Sequence, residues 1–155
     1  MSNRARGRGL PRVLLGDTDL FFFYLKGGRY ESQAEEVVKA ADSGEITLKT
    51  SSEVYDDAIS AIRSDGASMD LAHSFVSDMR SVPHTALPMS ADIAEHAVGL
   101  YLQHAGRRRL SYFDSFHVAT ARSYGIPLLT SDAYIIENAG TFQIEARRLG
   151  DWPRI

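Results

Sequence analysis

Three aspartates that lie far apart in the sequence each stand where a short apolar run ends or a helical pattern begins. Asp17 follows the apolar run 13–15, Asp132 follows the run 126–130, and Asp114 comes near the start of a helical pattern. Carboxylate oxygens are the ligands that Mg²⁺ prefers, and a bound ion would activate water and stabilise charge on a phosphodiester. If the fold brings the three acids together, they would form a site for metal-dependent hydrolysis.

Each aspartate also has a purely structural interpretation. Asp17 could end a strand in a turn, and Asp132 could cap a helix over 133–138. Asp114 follows Ser111 by three residues, which resembles a capping box with Asp in place of Glu or Gln. Only the joint arrangement of the three acids is therefore specific for a metal site, where crowded carboxylates would have coupled pKa values, at least one of them raised.

Short apolar runs alternate with helical patterns along the chain, and this alternation predicts the fold class. Strands are predicted at 13–15, 46–48, 85–89, 126–130 and 141–146, and helices at 31–42, 52–63, 69–79, 90–104 and 111–125. Such alternation is typical of an α/β protein, here a three-layer α/β/α sandwich with a mainly parallel central sheet. Because sites in these sheets form beyond the carboxyl ends of the strands, we expect Asp17 and Asp132 to meet there.

Length and composition narrow the class of protein. The chain has 155 residues, of which 44% are apolar and 24% charged, values that fit one globular domain and argue against disorder. It has no cysteine, so any metal must bind oxygen or imidazole. The apolar stretch 20–25 is far shorter than the ~20 residues of a membrane-spanning helix, and no signal-peptide core follows the N-terminus. We therefore expect a cytoplasmic protein with no membrane partner.

Charge is acidic overall but basic in two places. The net charge of −3 argues against a globally basic nucleic-acid binder, so RNA contacts would come from local patches. One patch, Arg4, Arg6, Arg8 and Arg12, lies in a glycine-containing N-terminal segment, and the other is the run 107–109 between two helical patterns. Solvated arginines that bind nothing are an equally good interpretation of each patch taken singly.

The motifs around the aspartates resemble those of one family. Residues 14–18, LLGDT, resemble the first motif of PIN domains, an apolar strand that ends in Asp-Thr or Asp-Ser. Residues 110–121, LSYFDSFHVATA, and 125–132, GIPLLTSD, resemble the third and fourth acidic motifs in the family's order and spacing. The family includes VapC-like toxins of toxin–antitoxin pairs, which are Mg²⁺-dependent ribonucleases. The resemblance implies a PIN-like fold, Mg²⁺ or Mn²⁺ as cofactor, and single-stranded or structured RNA as substrate.

Site residues follow from the same resemblance. Asp17, Asp114 and Asp132 match the first, third and fourth acids. The second acid is usually a Glu on the helix after strand two, and counting from Ser51 places Asp57 there, with Glu53 and Asp56 as alternatives. The resemblance thus implies a catalytic and metal-binding set of Asp17, Asp57, Asp114 and Asp132. Hydroxyl groups that would hydrogen-bond these acids or the scissile phosphate belong to Thr18, Ser51 and Ser131.

Domain boundaries and partners complete the predictions. We divide the chain into a flexible basic N-terminal tail at 1–12, one PIN-like nuclease domain at 13–150 and a C-terminal tail at 151–155. The toxin-like comparison implies a homodimer and a small antitoxin whose extended segment covers the acidic pocket, placing an arginine among the carboxylates. His117 lies one turn after Asp114, but a histidine on a mostly apolar helix face is more often packed than catalytic, so it is left out of the predicted site.

Two other functions remain open at this point. One is a catalytically weak PIN-like module that binds RNA or protein, an interpretation motivated by Asp57 in the place of a Glu. The other is a haloacid-dehalogenase-like phosphatase with Asp17 as nucleophile and Asp19 as acid/base. The sequence fits the phosphatase poorly. Phe21 stands where that family has Thr or Val, and the only lysines, Lys26, Lys39 and Lys49, come too early in the chain for the family's downstream lysine.

Overall fold

Five parallel strands form a single sheet in the computed structural model, which describes residues 10–155. In sequence order the strands are β1 (Val13–Gly16), β2 (Thr47–Ser51), β3 (Thr85–Leu87), β4 (Leu128–Thr130) and β5 (Ala146–Arg148). Their order across the sheet is β3-β2-β1-β4-β5, and every neighbouring pair is parallel. The predicted mainly parallel sheet is confirmed, and within the described residues it contains no antiparallel pair.

Helices make the crossovers that parallel strands require. They are α1 (Thr18–Lys26), α2 (Glu31–Asp42), α3 (Val54–Ser64), α4 (Met69–Ser81), α5 (Ala91–His104), α6 (Tyr112–Tyr124) and α7 (Ala133–Phe142), with a 3-10 turn at Leu149–Asp151. Within residues 10–155, none of these helices combines the length and the apolar composition needed to cross a membrane.

The helices cover both faces of the sheet. Successive residues of a strand point to opposite faces, and accordingly Leu14 belongs to one buried apolar cluster and its neighbour Leu15 to a second. The first cluster is completed by apolar residues of α1 to α4, and the second by apolar residues of α5 to α7. This division gives the three layers that the sequence predicted.

The central strands deliver polar residues to one edge of the sheet. Asp17, Ser51 and Thr130 stand at the carboxyl ends of β1, β2 and β4, which are neighbours. At Gly16 an added Cβ would lie 3.0 Å from Leu20 Cδ2, so glycine lets α1 fold back directly over the end of β1. The abrupt strand-to-helix turn places the Asp17 carboxylate at the sheet edge.

Two segments differ from the predicted elements. The apolar stretch 20–25, for which no element was predicted, belongs to helix α1, with Phe21 fully buried and Phe22 stacked on Phe75 at 4.7 Å between ring centroids. The last strand was predicted at 141–146, but α7 continues to Phe142 and β5 begins only at Ala146. The helix ends where Gln143 takes a left-handed conformation, with φ 57°.

The predicted tails fall partly within packed structure. Trp152 is buried in the first apolar cluster and Ile155 packs against it, so the folded unit extends beyond the boundary predicted at residue 150. The physical reason is the area of the indole ring, whose burial stabilises the C-terminal turn. Most of the predicted N-terminal tail, with Arg4, Arg6 and Arg8, lies outside the described residues.

Candidate active site

Asp17 is the most enclosed acid at the carboxyl edge of the sheet. It caps α1, and its side chain is 4% exposed. Its Oδ1 accepts a hydrogen bond from the Thr18 backbone N–H at 2.7 Å, and its Oδ2 accepts one from Thr130 Oγ1 at 2.7 Å. Both carboxylate oxygens are therefore oriented, one by the helix that follows β1 and one by the end of the neighbouring strand β4.

Asp57 reaches the same place from the first turn of α3. Its Oδ2 accepts a hydrogen bond from Thr18 Oγ1 at 2.5 Å. This bond connects Asp57 to the start of α1, the helix that Asp17 caps. Asp56, beside it in the sequence, is exposed, and Glu53 precedes the helix without capping it through its side chain. Of the three candidates for the second acid, the structure brings Asp57 to Asp17.

Asp114 comes from a third element, the first turn of α6. Its backbone N–H donates to Ser111 Oγ at 3.2 Å, so the serine cap predicted from the sequence is present. Ligand atoms of Asp17, Asp57, Asp114 and His117 all lie within 4.8 Å of one another. We call these four residues the acidic cluster.

His117 is the member of the acidic cluster that the sequence-based prediction left out. Its side chain is 1% exposed, with Nδ1 2.6 Å from Ser51 Oγ and Nε2 3.0 Å from both Asp57 Oδ2 and Thr18 Oγ1. The signal in the sequence is its position three residues after Asp114, which puts both side chains on one face of α6. The helix is buried throughout 115–121, so a polar residue facing the sheet must find polar partners.

Burial and charge shift the pKa values of the acidic cluster. Burial raises the pKa of Asp17 well above its usual range, and the negative charge of Asp114 raises it further. Burial likewise raises the pKa of Asp114 to about 6, although the nearby His117 opposes the shift. Burial lowers the pKa of His117, but its hydrogen bond to Asp57 and the charges of Asp17 and Asp114 outweigh it and bring the pKa to about 9. The cluster thus holds a protonated, positively charged His117 among three aspartates, whose negative charges favour this protonated form.

Asp132 borders the acidic cluster without joining it. Its Oδ1 accepts a hydrogen bond from the Ile135 N–H at 3.0 Å, and its own N–H donates to Thr130 Oγ1 at 3.0 Å. The carboxylate caps α7, which turns one oxygen toward that helix. Its charge still contributes to the raised pKa of Asp114, so the two acids are close enough to repel each other.

Two of the predicted hydroxyl residues contact members of the cluster and one does not. Thr18 donates to Asp57, and Ser51 contacts His117 and so acts on the carboxylates through the imidazole. The third, Ser131, donates to Asp19 Oδ2 at 2.7 Å on the exposed side of α1. The hydroxyl that holds Asp17 belongs instead to Thr130, which directly precedes Ser131 and points inward from β4.

The donor set of the cluster fits a hard divalent cation. Asp17, Asp57 and Asp114 supply carboxylate oxygens, the ligands that suit Mg²⁺ and Mn²⁺. Both ring nitrogens of His117 are engaged by protein oxygens, so the imidazole is not a free ligand. Burial first and repulsion by neighbouring acids second raise the pKa values of Asp17 and Asp114, and a bound cation would favour their charged forms against both effects.

Comparison with known proteins bears on both the sequence and the fold. The family model described as PIN domain matches residues 15–140. The chain has no match among curated proteins. Its structure is similar to that of a chain of VapBC2 from Rickettsia felis, solved bound to a promoter DNA fragment, with a TM-score of 0.64 and 12% identity over 88% of this chain and 98% of that one.

Two structures from Mycobacterium tuberculosis are also similar. One is a chain of VapBC-5, a member of the VapBC family of toxin–antitoxin systems, with a TM-score of 0.58 and 22% identity over 89% of this chain and 99% of that one. The other is VapC20, described as a Sarcin-Ricin loop cleaving toxin, with a TM-score of 0.56 and 18% identity over 74% of this chain and 86% of that one. At these identities the likeness shows the shared fold.

Proposed function

The chain belongs to the PIN domain family, and from this membership we propose that it is a metal-dependent endoribonuclease that cuts single-stranded or structured RNA at the acidic cluster. The observation that carries the proposal is the convergence of three carboxylates, on Asp17, Asp57 and Asp114, from three elements that are far apart in sequence. A purely structural role would not require three acids within reach of one ion, since unpaired buried carboxylates destabilise a fold.

Asp17, Asp57 and Asp114 would hold Mg²⁺ or Mn²⁺. When bound, such an ion supplies an activated water and stabilises charge on the attacking and leaving oxygens of a phosphodiester. The protein keeps the carboxylates in place: Thr130 and the Thr18 N–H fix the two oxygens of Asp17, while the Thr18 hydroxyl and His117 fix one oxygen of Asp57. Preorganised ligands of this kind reduce the cost of assembling a site.

Asp132 has a secondary place in the proposed site. It follows β4 at the same sheet edge and adds negative charge beside Asp114. Because one of its oxygens caps α7, we propose that it affects substrate and ion through its charge at the rim, and that its loss reduces activity less than the loss of Asp17 or Asp114.

A toxin–antitoxin role is the biological setting that we propose. The fold is shared with chains of VapBC complexes, and VapBC-5 is described as a toxin–antitoxin system. The partner would be a small antitoxin whose extended segment covers the acidic cluster and places an arginine there, because a guanidinium can pair with two carboxylates at once. The active form would be a homodimer, and its RNA substrate would place it in the cytoplasm. A monomer by light scattering would contradict the homodimer alone.

A catalytically weak binding module is the second candidate. It is favoured by one observation: Asp57 Oδ2 already contacts both Thr18 and His117, which leaves the shorter side chain one free oxygen for an ion. Calorimetry separates the two candidates. Mg²⁺ or Mn²⁺ binding that Asp114→Asn abolishes supports the nuclease, whereas RNA binding without metal binding supports the module.

The phosphatase alternative gains nothing from the structure. Asp19, its proposed acid/base, is in the first turn of α1 and accepts a hydrogen bond from Ser131 on the exposed side. No lysine follows Lys49 in the sequence, so the downstream lysine of that chemistry has no counterpart. Membership of the PIN domain family therefore favours the nuclease over the phosphatase.

Cleavage of a mixed RNA pool in Mg²⁺, Mn²⁺ or EDTA tests the proposed function. Asp114→Asn should eliminate the metal-dependent cutting, because it removes a charged ligand without changing the size of the side chain. Asp78→Asn, on the face of α4 exposed to solvent, is the matched control and should cut like the wild type. Cutting that survives in Asp114→Asn would overturn the proposed site.

A further inference from the structure

We propose that exposed arginines and tyrosines between α5 and α6 bind single-stranded RNA and lead it to the acidic cluster. This arginine–tyrosine surface consists of the turn 106–109 with Tyr101 and Tyr112. The inference rests on the proposed ribonuclease function, since it identifies where the substrate of that site is held.

The arginine–tyrosine surface directly adjoins the acidic cluster along the chain. Leu110, buried in the second apolar cluster, anchors the end of the turn, and Tyr112 begins α6 two residues before Asp114. On the other side, Arg109 Nη2 donates to Tyr134 Oη at 3.3 Å, and Tyr134 follows Asp132 by two residues. The turn is therefore tied to the starts of both α6 and α7, the helices that carry the third and fourth acids.

The charge of this surface opposes that of the rest of the protein. Residues 103–113 contain three arginines and no acid, in a chain whose net charge is −3. Among residues 10–155, none of the ion pairs involves Arg107, Arg108 or Arg109. A polyanion approaching an acidic site needs such a local patch, since phosphate contacts by Arg and Lys supply most of the affinity for nucleic acid.

The turn is built to present its arginines. It is closed by hydrogen bonds from the Arg109 N–H to Gly106 O and from the Leu110 N–H to His104 O, both 3.2 Å. Arg108 takes a left-handed conformation, with φ 59°, which a β-carbon disfavours. Gly106 has φ 148°, and an added Cβ would lie 3.1 Å from Arg109 Cδ, so glycine lets the Arg109 stem cross the turn. Arg107 and Arg108 remain exposed.

The two tyrosines add exposed aromatic surface on the helices α5 and α6, which flank the arginine turn. Tyr112 is 47% exposed and Tyr101 is 36% exposed, and their rings meet perpendicularly with centroids 5.6 Å apart. Tyr112 is backed by Phe113 and Phe116, with centroids 5.2 and 5.1 Å away, which holds its ring in one orientation. A fixed and exposed ring on a helix that flanks an arginine-rich turn supplies both elements that bind single strands, an aromatic face for base stacking and positive charge for phosphate contact.

RNA binding measured without cleavage tests this surface. In the full-length Asp114→Asn background with EDTA, fluorescence anisotropy gives the Kd for an unstructured RNA over a range of salt concentrations. Arg107→Gln/Arg108→Gln should weaken binding and reduce the slope of log Kd against log salt by about 0.7 for each phosphate that the variant no longer neutralises. Arg63→Gln/Arg122→Gln is the control with the same change in charge, because both arginines are exposed in the last turns of α3 and α6, at the ends of these helices opposite Asp57 and Asp114.

The tyrosines are tested with a conservative pair. Tyr112→Ala should weaken binding about tenfold at constant salt, whereas Tyr112→Phe, which keeps the ring, should bind like the parent protein. Thermal melting of each variant shows that it remains folded. Light scattering shows whether Tyr112→Ala changes the oligomeric state.

Three results would overturn the inference. If both arginine pairs weaken binding equally while the wild type still cuts RNA, the surface is not specific and the proposed function stands. If the wild type neither cuts nor binds RNA, the proposed function and this inference fail together. If Tyr112→Ala converts a dimer to a monomer and leaves RNA affinity unchanged, the aromatic surface is an interface between copies of the chain.

Discussion

His117 Nε2 lies 3.0 Å from Asp57 Oδ2, and this contact joins the buried centre of α6 to the first turn of α3. The same imidazole contacts Ser51 at the end of β2 through Nδ1. The His117 imidazole thus links α6, α3 and β2 at the point where the carboxylates converge. It carries positive charge because its pKa is raised to about 9. The histidine therefore contributes to the stability of the metal-free fold as well as to the position of Asp57.

Removing this imidazole should destabilise the protein. His117→Asn removes the ring nitrogen that contacts Asp57 Oδ2 and the positive charge between the acids, so we expect the free energy of unfolding to fall by about 2–4 kcal/mol in EDTA. Urea denaturation measures the change. Added Mg²⁺ should restore part of the loss, because the ion replaces the missing positive charge.

The exposed His73 provides the control for that experiment. His73→Asn should change the free energy of unfolding by less than about 0.5 kcal/mol. Equal stability of the His117 and His73 variants would contradict the role of His117.

Neutralising one acid should stabilise the metal-free protein. Asp114→Asn removes repulsion from the buried Asp17, so its free energy of unfolding in EDTA should exceed that of the wild type by about 1 kcal/mol. In saturating Mg²⁺ the order should reverse, because only the wild type gains binding energy, about 2.7 kcal/mol at a ligand concentration of 100 Kd. Thermal unfolding with and without Mg²⁺ checks both signs, and a variant that Mg²⁺ still stabilises would exclude Asp114 as a ligand.

The second acid can be assigned with neighbouring residues. Asp57→Asn should reduce Mg²⁺ affinity at least about tenfold by calorimetry, because it removes a charged ligand from the cluster. Asp56→Asn, at the adjacent exposed position, should leave the affinity unchanged. A loss confined to Asp56→Asn would show that α3 turns differently in the metal-bound state.

Thr130 should matter for metal binding although it touches no ion directly. Thr130→Val keeps the volume but removes the donor to Asp17 Oδ2 and the acceptor of the Asp132 N–H, so we expect Mg²⁺ affinity to fall about tenfold. Thr120→Val is the matched control. That buried hydroxyl donates to the Phe116 carbonyl within α6, so its loss should leave Mg²⁺ affinity unchanged.

Much of this site could be predicted because its residues sit at element ends. Asp17 and Asp114 follow an apolar run and a serine cap, signals that local sequence carries, and parallel strands bring such ends to one edge. Asp132 shows the limit of this reasoning: capping α7 and binding an ion both require a carboxylate at the same position. Only the three-dimensional contacts distinguish the two roles.

The parts that were missed depend on contacts distant in sequence. His117 lies among apolar residues of α6, and nothing in that segment shows that Asp57, sixty residues earlier, supplies its partner. Helix α1 was missed because its aromatic residues face several neighbours and lack a clear helical period. The strand predicted at 141–146 was misplaced because apolar and polar residues alternate in this segment as they do in a strand, although its first two residues complete helix α7.

The most direct test of the central claim is the rate of RNA cleavage as a function of Mg²⁺ concentration, for the wild type and for Asp17→Asn purified identically. The account predicts a rate that saturates with Mg²⁺, vanishes in EDTA and is lost in Asp17→Asn, since that residue carries the most enclosed carboxylate of the cluster. Cleavage that continues in EDTA, or that Asp17→Asn retains, would contradict it.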